Sequence, residues 1–412
     1  MNMHFYLKAD IGNNKVKFKV DNEVEKVQSV YKRLFTPIAP SETNIEKCVA
    51  NLLDELNVHI TSSSIKRSGQ FLVGERAMNF GKDVKSMDIS EGGKYIDDLP
   101  IVHTISIIAA KAIQKAFADN KELPEILNVT VDLITAIPAS EWTPERSRVL
   151  RDRFLNKQKK TDETQAETKN GAHIAIVDVA ETKVSVTIKF NDVKVTREGI
   201  PPLYLMLKAI REKDLGMFEK YVDFCEKELK YSKEKIAGLL TEEVFSRKKI
   251  LHVDIGDGTT EYIYTDAVNP RSDACTGEKR GVGHAIKEAI GLLKGDKPGI
   301  GEITRQQFSE MLQNKEHNFH TEAKSFFYET RFVQAENILQ DIKNKYKENT
   351  ASEAQVIAVY GGGSVGFKED LYDELATFCK LNKLELLWIP EKYAIDMNIE
   401  GMDVLVNEVL AR

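Results

Sequence analysis

The chain has 412 residues, too long for one small core, so two or more lobes are expected. Apolar residues make up 42% and charged residues 30%, the balance of an ordinary globular protein and not of a disordered one. A formal charge of −6 argues against non-specific contact with DNA or RNA, which asks for a basic face.

Cys48, Cys225, Cys275 and Cys379 are scattered, without a CxxC pair or a zinc-type cluster, which fits a reducing cytoplasm. The N-terminus leads directly into a strand, and no signal peptide is expected. Phe5 to Ala9 run into Asp10-Ile11-Gly12-Asn13-Asn14-Lys15-Val16-Lys17, which reads as strand, tight glycine turn and second strand, Lys15 to Val20. Such turns offer backbone N–H groups to phosphate oxygens, and an aspartate beside them can hold Mg²⁺ through water. One turn of this kind is common for purely structural reasons.

Val24 to Asp98 reads as a small inserted subdomain, with strand-like pieces at Ile60-Thr61-Ser62 and Gln70 to Val73 and a polar turn at Glu91-Gly92-Gly93-Lys94. Leu99 to Ala118 has helical spacing at Ile101, Ile105, Ile108 and Ile113. Its apolar part, Ile101 to Phe117, carries His103, Lys111 and Lys115 and reads as a core helix, too short and too polar for a bilayer. Asn128 to Ile137 is a buried strand that stops at Pro138, and Thr143-Pro144 is a helix start. Leu155 to Asn170 reads as a surface loop, and Ile174–Val179, Val184–Phe190 and Val193–Thr196 as short strands. A charged, amphipathic helical region follows from Pro202 to Lys248.

At Lys249 the opening pattern begins again. Lys249 to Val253 lead into Asp254-Ile255-Gly256-Asp257-Gly258-Thr259-Thr260-Glu261, with a second strand from Glu261 to Thr265. Two such turns at this separation are far stronger evidence than one, because together they could clamp a single nucleoside triphosphate. Charged helices span about Gly283 to Lys347. The buried strand Val356–Tyr360 then runs into Gly361-Gly362-Gly363-Ser364, and Leu384–Ile389 leads to Pro390 and a terminal helix. His103, His252 and His284 are read as structural, and Trp142 as a packing residue.

These stretches together resemble the actin-like ATPase superfamily of actin, Hsp70 and sugar kinases. Asp10 to Lys17 is similar to its first phosphate motif, Asp254 to Glu261 to the second and Val359 to Ser364 to the adenosine motif. Thr135 to Pro138 sits where a first connecting segment begins, and Glu391 to Met402 resembles the second. The resemblance implies an α/β fold of two lobes, each a mixed sheet flanked by helices, with nucleotide in the cleft between them. It places lobe I at 1–199, with the insert at about 24–98, lobe II at 200–390, and a C-terminal helix at 391–412 returning to lobe I. Within the superfamily the ParM-type plasmid-segregation actins are most similar. Val193 to Pro201 resembles a strand ending in a catalytic glutamate and a proline turn, Gly277 to Gly283 the start of a helix beside the nucleotide, and Met397 to Met402 the family's ending. Asn13 stands where that family has Ser or Thr, and the 202–248 stretch is longer than expected.

The resemblance implies the following chemistry. Amides around Gly12, Asn13, Asn14, Gly256, Asp257, Gly258 and Thr259 hold the phosphates of ATP or GTP, aided by Lys17. By spacing alone Lys17 is as well explained as an exposed lysine. Asp10 and Asp254 hold Mg²⁺ through water, with Asp254 also counted as catalytic. Glu198 orients the attacking water, a role that the resemblance alone supplies. Gly361, Gly362, Gly363 and Ser364 lie against adenine and ribose.

The implied function is a cytoplasmic, polymerising ATPase whose filaments segregate plasmid DNA. Its partners would be further copies of itself and a centromere-binding adaptor, with neither direct nucleic-acid nor membrane contact. The alternative is a metabolic kinase of the same fold, although Glu141 is the nearest acid to the place where a substrate base is needed. A chaperone-type ATPase would want a linker and a β-domain after Arg412, and a membrane-bound relative an amphipathic terminus.

Overall fold

The computed structural model describes residues 1–20, 23–36, 38–40, 42–80, 83–87, 93–157 and 170–410. Glu91 and Gly92 of the expected polar turn, and 158–169 of the expected surface loop, lie outside these. The chain forms two compact units. One comprises Met1–Ile137 and Glu141–Arg197, the other Pro138–Ser140 and everything from Glu198 onward.

The first unit is built on one ten-stranded sheet. Its strands are β1 (Asn2–Ile11), β2 (Lys15–Lys19), β3 (Val24–Gln28), β4 (Val30–Leu34), β5 (Asn57–Thr61), β6 (Gly69–Val73), β7 (Lys85–Ser86), β8 (Ile126–Ile137), β9 (His173–Val179) and β10 (Thr182–Arg197). The order is β3-β2-β1-β8-β10-β9-β5-β6-β4-β7. The strands of the 24–98 region therefore extend the main sheet of this unit. β1 and β2 pair antiparallel, and β8 runs parallel to both β1 and β10. Alternate residues of β1 are buried, Met3, Phe5, Leu7 and Ala9, as expected of a strand with one face on a core.

The helix Leu99–Asn120 opens with Leu99 N–H donating to Asp97 Oδ1 at 2.7 Å and Pro100 in the first turn, and it stops where Lys121 turns left-handed at φ 59°. At 22 residues it is longer than the expected apolar stretch. Among the described residues it is the one helix long and apolar enough to cross a membrane. It is instead the centre of this unit's core, with Leu99, Ile101, Val102, Ile105, Ile108 and Ile113 wholly buried.

The second unit carries a six-stranded sheet of β11 (Lys249–Ile255), β12 (Thr260–Asp266), β13 (Asn269–Pro270), β14 (Thr276–Glu278), β15 (Val356–Tyr360) and β16 (Glu385–Trp388). The order is β13-β12-β11-β15-β16, with β14 also on β12. An antiparallel hairpin again opens the sheet, and a parallel strand again lies on the far side of its first strand. The series β12-β11-β15 thus repeats β2-β1-β8.

The 202–248 stretch is several helices, Ile200–Glu212, Glu219–Lys227, Lys233–Leu239 and Glu242–Phe245, interrupted where Lys213 and Lys230 take left-handed conformations. Lys248 at its end is 5% exposed and pairs with the buried Glu385 at 2.7 Å, which also accepts from Tyr221 Oη at 2.6 Å. Residues 391–410 belong to the second unit, where the helix Met397–Val404 packs on Ile200–Glu212.

Candidate functional site: two matched hairpin turns and a carboxylate group

The two Asp-x-Gly hairpins are built alike. In the first unit Gly12 N–H donates to Lys15 O at 3.1 Å, and in the second Gly256 N–H donates to Thr259 O at 2.9 Å. Asp10 stands two residues before the first turn glycine and Asp254 two before the second, and each aspartate is 7% exposed. A hairpin turn with a near-buried carboxylate at its base is thus made twice, from sequences that share little but Asp-Ile-Gly.

Across the hairpins the chemistry differs. Asp10 lies opposite Lys17, with Nζ 3.8 Å from Oδ2, so the first turn has a positive partner at its base. Gly12 and Asn13 are half-buried, Asn14 is exposed, and Asn14 O is taken by the Ser29 N–H at 2.9 Å. Asp254 lies opposite Glu261, so the second turn has an acid where the first has a lysine.

The second turn is braced from the helix Val282–Asp296. Gly283 N–H donates to Asp257 O at 2.8 Å, and His284 Nε2 donates to Gly258 O at 2.9 Å. Burial, the first cause, lowers the His284 pKa, which keeps the ring neutral with its hydrogen on Nε2. His284 is therefore structural in the sense expected, as a support of the turn itself. The Asp257 side chain engages Arg305, so its carboxylate serves the turn's bracing while its backbone stays in the loop.

Three carboxylates gather in this unit. Glu198 follows the last residue of β10 and is half-buried, Asp254 is the penultimate residue of β11, and Glu261 is 2% exposed. Ser140 holds Glu261 by its N–H at 2.9 Å to Oε2 and its hydroxyl at 3.2 Å to Oε1. Burial first, then the charge of Glu198, push Glu261 up to about 8 in spite of those bonds, with Asp254 adding a smaller push. Among the described residues no group of three or more His, Cys, Asp or Glu side chains is arranged to hold a metal ion directly.

Gly199, next to Glu198, is left-handed at φ 81°, and a Cβ there would fall 2.5 Å from Ile263 Cδ1, so only glycine makes this turn. Its N–H donates to Asn398 Oδ1 at 3.1 Å, and its carbonyl accepts from the buried Tyr360 Oη at 3.1 Å. Asn398 Nδ2 in turn donates to Asp254 Oδ2 at 2.8 Å.

The glycine run after β15 divides by role. Gly361, at φ 88°, and Gly363 press on the second turn, where side chains would collide with Asp254 and with Ile255. Gly362 has open space beside it and is exposed, so it is the glycine of the run with room for a ligand. The Ser364 hydroxyl is buried and donates to Gly361 O at 2.8 Å. Two of the expected nucleotide glycines thus serve contact between the run and the Asp254 turn.

The second unit accordingly brings Glu198, Asp254, the 256–259 turn and the 361–364 run together, while Asp10, the 12–14 turn and Lys17 are grouped in the first. Ser140, Glu261, Tyr360 and Asn398 were not singled out as site residues. Glu261, Tyr360 and Asn398 fall inside the motifs, three residues after Gly258, directly before Gly361 and three before Gly401, and that place was the available signal. Glu141 accepts the Lys94 N–H at 2.9 Å, and Trp142 packs under Arg197 at 4.0 Å, as its packing role implied.

A duplicated hairpin-plus-parallel-strand layout in two units, with an Asp-Gly turn in each, is the actin-like fold. No family model and no curated protein matches the chain. Among solved structures it is similar to the actin-like protein Alp7A, with a TM-score of 0.64, 16% identity and 100% of both chains covered. It is also similar to pCBH ParM in a non-polymerisable quadruple mutant, with a TM-score of 0.58, 15% identity and 97% of each chain covered. Bacillus thuringiensis ParM with ATP matches with a TM-score of 0.54, 14% identity, 99% of this chain and 98% of that one.

Proposed function

We propose that this protein is a polymerising actin-like ATPase of the plasmid-segregation kind, in which nucleotide hydrolysis controls filament stability. The observation that carries the reading is the matched pair of turns. Two segments 244 residues apart make the same closing hydrogen bond beside the same buried aspartate, on a fold shared along its full length with ParM and Alp7A chains.

The residues suit a Mg²⁺-nucleotide. The Gly12 and Gly256 amides close the two turns, and those of Asn13, Asn14, Gly258 and Thr259 are of the kind that cradles phosphate. Asp10 and Asp254 would hold Mg²⁺ through water, since that ion keeps part of its hydration shell. When bound, that ion neutralises phosphate charge. The chain's own part is to hold the β- and γ-phosphates in the two turns, add the Lys17 charge, and orient the attacking water through Glu198. Gly362 offers the open face for the nucleoside, of ATP or of GTP. In this reading the protein is cytoplasmic, associates with copies of itself, and reaches DNA through a centromere-binding adaptor.

Light scattering and pelleting after addition of ATP and Mg²⁺ test this. Scattering that rises and then decays in the wild type, but persists in Glu198→Ala, supports it. No assembly with either nucleotide, together with hydrolysis stimulated by small metabolites, would move the protein to the metabolic kinases.

A further inference from the structure

We propose that Asn398 is a positioning residue for hydrolysis, its amide tying the turn that carries Glu198 to Asp254; this rests on the function proposed above. Glu198 and Asp254 come from segments more than 50 residues apart. The Asn398 side chain bridges the two segments. Asn398 Oδ1 accepts the Gly199 N–H at 3.1 Å while Nδ2 donates to Asp254 Oδ2 at 2.8 Å. The amide's orientation is settled by its partners, because an N–H needs an acceptor and a carboxylate a donor.

The neighbouring contacts make this bridge stiff. Tyr360 Oη grips the Gly199 carbonyl from β15, so the residue after Glu198 is held at both its N–H and its C=O. The helix that carries Asn398 is seated closely on the one that starts at Ile200, since any side chain at Gly401 would collide with the Pro201 backbone. The position of the C-terminal helix is therefore passed to two carboxylates at once.

Only an amide fits. Aspartate would keep the acceptor for Gly199 but lose the donor and set a negative charge against Asp254, while leucine of similar shape offers neither. Partners that orient a functional carboxylate commonly cost about 10–100-fold in activity when removed.

The test uses the full chain as wild type, N398D, N398L and, as a packing control, G401A. ATP hydrolysis, affinity for a fluorescent ATP analogue and melting temperature are measured on each. N398D and N398L should lose about 10–100-fold in kcat. Their nucleotide affinity should stay within about threefold of wild type, since the cradling amides are untouched. G401A, which displaces the whole helix, should lower melting temperature, kcat and affinity together. Wild-type kcat in both Asn398 variants overturns the proposal. So does a parallel fall in kcat, affinity and melting temperature that matches G401A, which would make the amide mere packing. A wild-type protein that neither binds nor hydrolyses nucleotide instead overturns the proposed function, and this role with it.

Discussion

At neutral pH the Glu261 carboxyl keeps its proton, because burial and the nearby Glu198 charge push it up to about 8. In the unfolded chain the same group ionises near about 4.3. Protons are then bound more tightly by the folded state, so this group's contribution to stability is complete below about pH 4 and is lost as pH rises through about 8. Glutamine reproduces the shape of the protonated acid and keeps a donor and an acceptor for Ser140. Glu261→Gln should therefore melt about 5 °C above wild type near pH 8.5 and level with it near pH 4. A gain that does not vary with pH, followed by scanning calorimetry, would mean that the acid is ionised in place. The aspartates were legible in the sequence because Asp-x-Gly announces its own turn. Their supports were not. Ser140, Tyr360 and Asn398 reach Glu261, Gly199 and Asp254 across 121, 161 and 144 residues, and no local spacing encodes such contacts.

Among the elements, the helical stretch between the two sheets depends on a buried ion pair. Lys248 and Glu385 are 5% and 7% exposed, and Tyr221 on the helix Glu219–Lys227 adds a third bond. Removing one partner strands a charge, so Lys248→Met should cost about 3–5 kcal/mol of unfolding free energy in urea. Replacing both, as Lys248→Met with Glu385→Leu, should recover most of that loss, because an apolar pair of similar volume needs no partner. If the double variant is no better than the single, the pair's geometry is needed beyond charge balance. Strand and helix types were readable from periodicity, and Thr143 and Pro144 did start a helix. The joins were harder. Val184–Phe190 and Val193–Thr196 belong to the one strand β10, because a bulge between Phe190 and Asp192 lets it continue along β8 past a polar dipeptide that looks like a turn. In the 202–248 stretch two of the three breaks fall at lysines in left-handed conformation, a residue type that gives no warning.

On the scale of the molecule, the repeat of hairpin and parallel strand was visible because both copies keep Asp-Ile-Gly, and the actin-like fold follows from it. The place of residues 391–410 was not visible. Packing of the helix Met397–Val404 on Ile200–Glu212 depends on one glycine against a proline backbone, which reads in sequence as any other glycine. The helix Leu99–Asn120 has a consequence for biosynthesis. It packs on β1, β4, β5 and β6, made before it, and on β8, β9 and β10, made after it. At a usual pace of roughly 5–20 residues per second, a segment with the composition of a membrane span waits about 4–15 s on each ribosome for the rest of its cover. Stalled nascent chains displaying residues 1–125 should crosslink to chaperones or membrane-insertion factors, and chains displaying 1–197 should not. The helix that anchors the finished core is thus also the point at which a slow ribosome could send this protein astray.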